Sequence, residues 1–140
     1  MWQLIAIAAT FTWLGMVLAI SFLETPLKFQ APGITLPLGL GIGRIVFRAL
    51  NIAEIALAIV VLGSVAILGT DPAGWILLGV VAAVLSVQLG MLRPRLDRRT
   101  QQMIAGRPVP SSRLHLSYIA LECTKVATLM TLGAVLNAVP

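Results

Sequence analysis

The chain has 140 residues, 59% of them hydrophobic and 11% charged, with a mean hydropathy of +0.99. A soluble domain is about 45–50% apolar and about 25% charged, so this composition excludes a water-soluble fold and indicates an integral membrane protein, a single transmembrane domain over residues 1–140. The net charge of +5 does not imply a nucleic-acid partner, because six of the ten basic residues fall between Arg93 and Arg113, in one connecting segment of the kind that sets orientation in a bilayer or meets anionic lipid.

The first helix is predicted from Trp2 to Leu23, an uncharged run, and about 20 residues suffice to cross the hydrocarbon. No basic region precedes it and no small-x-small cleavage site follows, so a permanent span is expected rather than a signal peptide. The stretch after it carries prolines at 26, 32 and 37 and glycines at 33, 39, 41 and 43. Proline removes a donor and glycine loosens the backbone, so this segment is expected to be interfacial or re-entrant rather than helical. A second helix is predicted over 44–68; a start at Pro37 would make it about 48 Å long, more than a hydrocarbon core of about 30 Å.

Asp71 and Pro72 form a helix restart, the first as N-cap and the second at the first helical position. The third helix is predicted over 72–92, followed by a basic loop over 93–111 on the cytoplasmic side. Ser111 or Ser112 caps a fourth helix over 112–138. The fold class is therefore all-α, an integral membrane four-helix bundle with up-down-up-down topology. Lys28, Arg44, Arg48 and the six arginines from Arg93 to Arg113 then share one side, and the opposite side has no lysine or arginine. The positive-inside rule puts both termini on the non-cytoplasmic side of a plasma or inner membrane.

The fourth helix holds the residues least suited to lipid. His115, Tyr118, Glu122 and Lys125 are spaced by 3, 4 and 3 and fall within about 80° of one another at 100° per residue. Glu122 and Lys125 lie about 13 and 18 Å in from Arg113, where a charged side chain costs about 2.5–3.5 kcal/mol and faces protein or a wet cavity. Arg44, Arg48 and Asn51, with Glu54 at the edge, form a matching face on the second helix. Glu24 and Gln88 complete a polar cluster expected in one half and the centre of the bundle. These residues, Glu122, Lys125, Glu54, Arg48, Asn51, Tyr118, His115 and Glu24, are the candidate ligand- or proton-binding set.

Two physical roles fit that set. Carboxylate–ammonium pairs can fasten helices together, because buried polar groups need partners; intramembrane ionisable residues also line ligand and proton sites. One histidine excludes a bis-histidine haem within the chain, and Cys123 lies off the stripe, so no metal site is assigned. The sequence holds no G-x-S-x-G, H-E-x-x-H or G-x-x-x-x-G-K-[ST] motif, and the run Gly39 to Arg44 reads as close helix packing or a flexible segment. No cofactor is assigned. Small residues at Gly63, Ser64, Gly79, Ala82, Ala83, Ser86 and Gly90 allow close approach of helices or a homodimer.

Trp13, Gly15, Pro26 and Phe29 at the end of the first span, Gly43 and Arg44 at the second, and His115 opening the last resemble the pattern of the transmembrane protein 205-like family. Glu122 stands where that family has asparagine, and Glu24, Lys28 and Glu54 are additions to it. The resemblance implies a four-helix membrane topology and no particular activity. A second likeness, to DoxX-like four-helix proteins, rests on Lys28, Phe29 and Glu54. Three functions stay open: binding or transport of a small polar or anionic solute or protons; an accessory subunit of a larger membrane complex; and a membrane enzyme acting on a lipid or quinone through Glu122 or His115.

Overall fold

The structure, a computed structural model, describes residues 1–139. It is all-helical among the described residues, with four helices long and apolar enough to cross a membrane: α1 (Trp2–Lys28), α2 (Leu36–Leu68), α3 (Pro72–Ile104) and α4 (Leu114–Asn137). The chain is a multi-pass membrane helix bundle. Its burial pattern is inverted relative to a water-soluble protein. Leu4, Ile45, Ile52, Ile59, Ile76 and Leu116 are exposed, whereas Glu54, Glu122 and Lys125 are inside. An apolar exterior costs nothing against lipid, and a charge there would.

α1 packs against α2 and α4, and α4 against α3. Trp13 and Val17 of α1, Val61 and Val65 of α2, Leu78, Val81 and Leu85 of α3, and Leu129, Leu132 and Leu136 of α4 make one apolar core. At one end of it Gln3 Nε2 donates to the carbonyls of Leu136 at 3.0 Å and Val139 at 2.7 Å, so a side chain of α1 satisfies the last turn of α4. Hydroxyls on the lipid-facing surface are satisfied within their own helices: Ser86 donates to Ala82, Thr124 to Ala120 and Thr131 to Ala127.

Three expectations need correction. The first helix does not end at Leu23 but runs on to Lys28. The Pro/Gly-rich segment is helical from Leu36, so the second helix is not 44–68 but a 33-residue element. Thr35 caps it by accepting from the Leu38 N–H at 3.4 Å, and Pro37 sits in the first turn, where its missing N–H removes no helical bond. Gly39 and Gly43 are buried because the end of α1 lies directly on them: the Phe29 ring covers Gly39, and the Lys28 ammonium passes 2.6 Å from where a Cβ on Gly43 would stand. These glycines thus provide close approach instead of breaking the helix. The basic stretch expected as a loop over 93–111 is helical from Arg93 to Ile104, as an extension of α3. Only 105–113 connects it to α4.

Both long helices with internal prolines are wound more widely just before them. α1 is π-helical over Leu18–Glu24 and α3 over Gln88–Leu92, ending two residues before Pro26 and Pro94 respectively. A proline inside a helix loses one hydrogen bond and presses its ring on the carbonyl four residues back. A π turn relieves that contact and lets the helix continue.

The turn between α2 and α3 is tight. Gly69 ends α2 in the left-handed region at φ 63° and donates to the Val65 carbonyl, and the Asp71 carboxylate, as expected, accepts from the Gly74 N–H at 3.1 Å. A side chain at Gly69 would be forced into a conformation that costs about 1–2 kcal/mol. Gly69→Val is expected to destabilise the bundle by about that amount and Asp71→Ala by about 1 kcal/mol, measured as loss of helical circular dichroism under denaturant titration in detergent micelles.

Candidate functional site

Lys125 of α4 is fully buried, and its ammonium is held by two carboxylates. It donates to Glu54 Oε1 of α2 at 2.5 Å and to Glu122 Oε1, one turn back on its own helix, at 2.9 Å. The outer donors come from the other helices. Trp13 Nε1 of α1 donates to Glu54 Oε1 at 2.9 Å, Gln88 Nε2 of α3 to Glu122 Oε1 at 2.6 Å, and Ser21 Oγ of α1 to Glu122 Oε2 at 2.8 Å. Every helix therefore contributes to one buried network. Its three charged groups sum to one formal negative charge, and Glu54 Oε2 and Gln88 Oε1 are buried without a hydrogen-bond partner.

Local winding explains one of those partners. In an unbroken α-helix Ser21 would stand about 80° past Trp13, eight residues at 100° less two turns. Residues in π winding advance less per residue, which returns Ser21 toward the face of Trp13. Gln88 opens the second π segment. Both side chains that bind Glu122 from neighbouring helices thus sit in π turns.

Against Glu122 lies a cavity of about 540 Å³ between the ends of all four helices. Phe22 and Phe29 of α1 and its adjoining turn, Phe47 of α2, and Leu96 and Ile119 of α3 and α4 give it an apolar wall. Lys28, Arg44 and Arg93 add three cations, against Asp97 and the cavity-facing Glu122. Arg93 is held by ring faces rather than by an acid, its guanidinium carbon 4.6 Å from the centroid of Phe47 and 5.9 Å from that of Tyr118. The two rings meet edge to face at 5.9 Å. Lys28 pairs with Glu24 at 3.4 Å and lies 5.5 Å from the Phe29 ring.

Arg44 and Arg93 have no carboxylate partner among the described residues. With its amide oxygen toward Arg44, Gln101 accepts from Nη1 at 3.0 Å and Nη2 at 2.8 Å. Arg44 Nε and Arg93 Nη2 are nevertheless buried N–H donors with no acceptor. Such groups cost free energy unless something meets them.

Of the residues read from the sequence, Glu54, Glu122, Lys125 and Tyr118 are buried, and the first three are brought into contact. His115 is exposed on the cavity wall, one turn before Tyr118. Glu24 is half-buried and bonded to Lys28 instead of to the central group. Arg48 and Asn51 are not part of the network: Arg48 is exposed, and both line a smaller hollow of about 370 Å³ with Leu89, Pro94, Arg93 and Asp97. Helical spacing alone does not single out Ser21, Phe47 and Arg93, which nevertheless line the cavity. The signal that could have found Trp13 is general, since a buried indole N–H needs an acceptor.

No protein-family model, curated protein or solved structure matches the chain. The chemistry of the site is therefore the guide to its use.

Removing the ammonium alone leaves two carboxylates buried together without a counter-charge, and breaking such a pair costs about 3–5 kcal/mol. Lys125→Met is expected to destabilise by that range. Combining it with Glu54→Gln and Glu122→Gln is expected to recover most of the loss, because no uncompensated charge remains. Denaturant midpoints of the single and triple variants in the same micelle check both outcomes.

Proposed function

We propose that this membrane protein binds a small anion carrying an apolar group in the cavity beside Arg44 and Arg93. The observation that carries the reading is the pair of guanidinium groups, Arg44 and Arg93, that line a cavity of about 540 Å³ and have no carboxylate partner among the described residues. That volume lies within the usual range of small-molecule sites, about 300–1,000 Å³. The phenyl groups of Phe22, Phe29 and Phe47 suit an apolar body, and Lys28, Arg44 and Arg93 suit a carboxylate, phosphate or sulfonate head.

Topology agrees with this use. In the up-down-up-down arrangement read from the sequence, Lys28, Arg44, Arg48 and the arginines from Arg93 to Arg113 share one end, and by the positive-inside rule that end, with the cavity, faces the cytoplasm. The transmembrane protein 205-like pattern supports the same arrangement. A passage for the anion across the bilayer would have to go by the Lys125 network, since the far half of the bundle is filled by apolar side chains.

Native mass measurement of the protein extracted in mild detergent is expected to reveal a co-purified small acid. The mass of a phospholipid assigns a bilayer source, and that of a smaller acid an aqueous one. Octane-1-sulfonate serves as a probe of defined chemistry, titrated into lipid nanodiscs with empty nanodiscs as the blank. Each lost hydrogen bond to a charged group is worth about 1.5–3 kcal/mol, so Arg44→Gln with Arg93→Gln is expected to weaken sulfonate binding at least tenfold. Equal affinity of the double variant and the unaltered protein would sink the reading.

A further inference from the structure

We infer that the group Glu54–Lys125–Glu122 takes up a proton when an anion occupies the cavity, so that anion and proton are bound together. The inference rests on the anion-binding reading above and adds to it the chemical identity of a second bound species.

Glu122 is the shared element. It lines the cavity, and it is also one of the two carboxylates that hold Lys125. Two acids and one ammonium leave one negative charge unmatched inside the bundle, with Glu54 Oε2 bearing no partner. An anion seated against Arg44 and Arg93 enters the same cavity as Glu122. Like charges repel strongly where water does not screen them. One proton on the Glu54–Glu122 pair removes the unmatched charge while Lys125 keeps a carboxylate partner. The site then accepts the anion without gaining net charge.

The groups that surround the pair favour this location for the proton. α1 presents only the neutral donors Trp13 and Ser21 to it, and its Lys28 is bonded to Glu24. α3 presents neutral Gln88, with Arg93 and Asp97 farther along the cavity wall. α2 contributes Glu54 itself and, at the cavity, Arg44. α4 contributes Lys125, Tyr118 and, at the wall, His115. His115 and Asp97 on the wall and Glu24 beside Lys28 are thus the competing proton acceptors, and none of them touches Lys125.

The sign of the linkage follows. If binding takes up a proton, affinity rises as pH falls, by as much as about tenfold per pH unit for one proton. Octane-1-sulfonate stays ionised throughout, so its own titration contributes nothing. The dissociation constant of the unaltered protein in nanodiscs is expected to fall with pH on such a slope. In weak buffer an indicator dye is expected to report up to one proton taken up per sulfonate bound. Glu122→Gln keeps the side chain's shape and is expected to bind more tightly than the unaltered protein at alkaline pH, with the slope reduced. His115→Gln and Asp97→Asn are expected to keep the slope.

A flat pH profile with binding that still depends on Arg44 and Arg93 overturns the proton inference and leaves the anion site standing. Loss of the slope in His115→Gln or Asp97→Asn also overturns it, by placing the proton on the wall. Absence of sulfonate binding at every pH overturns both readings. The dye measurement on the unaltered protein decides the matter even where Glu122→Gln does not fold.

Discussion

An ammonium in the middle of a membrane bundle has to find anions, and Lys125 finds two, one from α2 and one from its own helix. The rest of the architecture follows from that requirement. Two buried carboxylates in turn need donors, and these arrive from α1 as Trp13 and Ser21 and from α3 as Gln88. The four helices are consequently registered against one another by directional bonds near their centre, while the apolar contacts of Val61, Val81 and Leu132 are far less particular about position. Hydrocarbon outside offers no hydrophobic drive for association, so packing and such bonds carry the specificity.

Much of this is legible in the sequence, and the reasons are physical. The 3, 4, 3 spacing from His115 to Lys125 sets a common face in any α-helix, and the depth of Glu122 and Lys125 requires that face to turn inward. Glu54 follows because a buried ammonium and a buried carboxylate in neighbouring helices have few alternatives. Arg48 and Asn51 fall outside the network because they line the smaller hollow between α2 and α3 instead, and a long exposed arginine there reaches water more readily than it reaches a partner. Ser21 escapes because helical arithmetic at 100° per residue fails once a π segment intervenes.

The helix boundaries teach a related lesson. Pro26, Pro37 and Pro94 read as breaks, yet each lies within a helix or its first turn. Pro37 occupies a position that needs no N–H, and the other two follow π turns that make room for their rings. Gly39 and Gly43 read as close packing or flexibility, and it is close packing that they serve, letting Phe29 and Lys28 lie against α2. Those contacts build one wall of the cavity, so the segment with the least regular sequence helps to define its shape.

The two π segments carry a mechanical consequence. Each holds its helix slightly underwound, like a screw thread with slack in one turn. Tightening either segment to ordinary α winding would rotate the part of the helix beyond it without unfolding a single turn. Ser21, inside the first segment, would then swing off Glu122, and the carboxylate would be left facing the cavity with Lys125 and one fewer donor. Slack of this kind allows a small twist at a helix end, where Phe29 and Arg93 line the cavity, to reach the centre of the bundle as a change of bonding at one side chain.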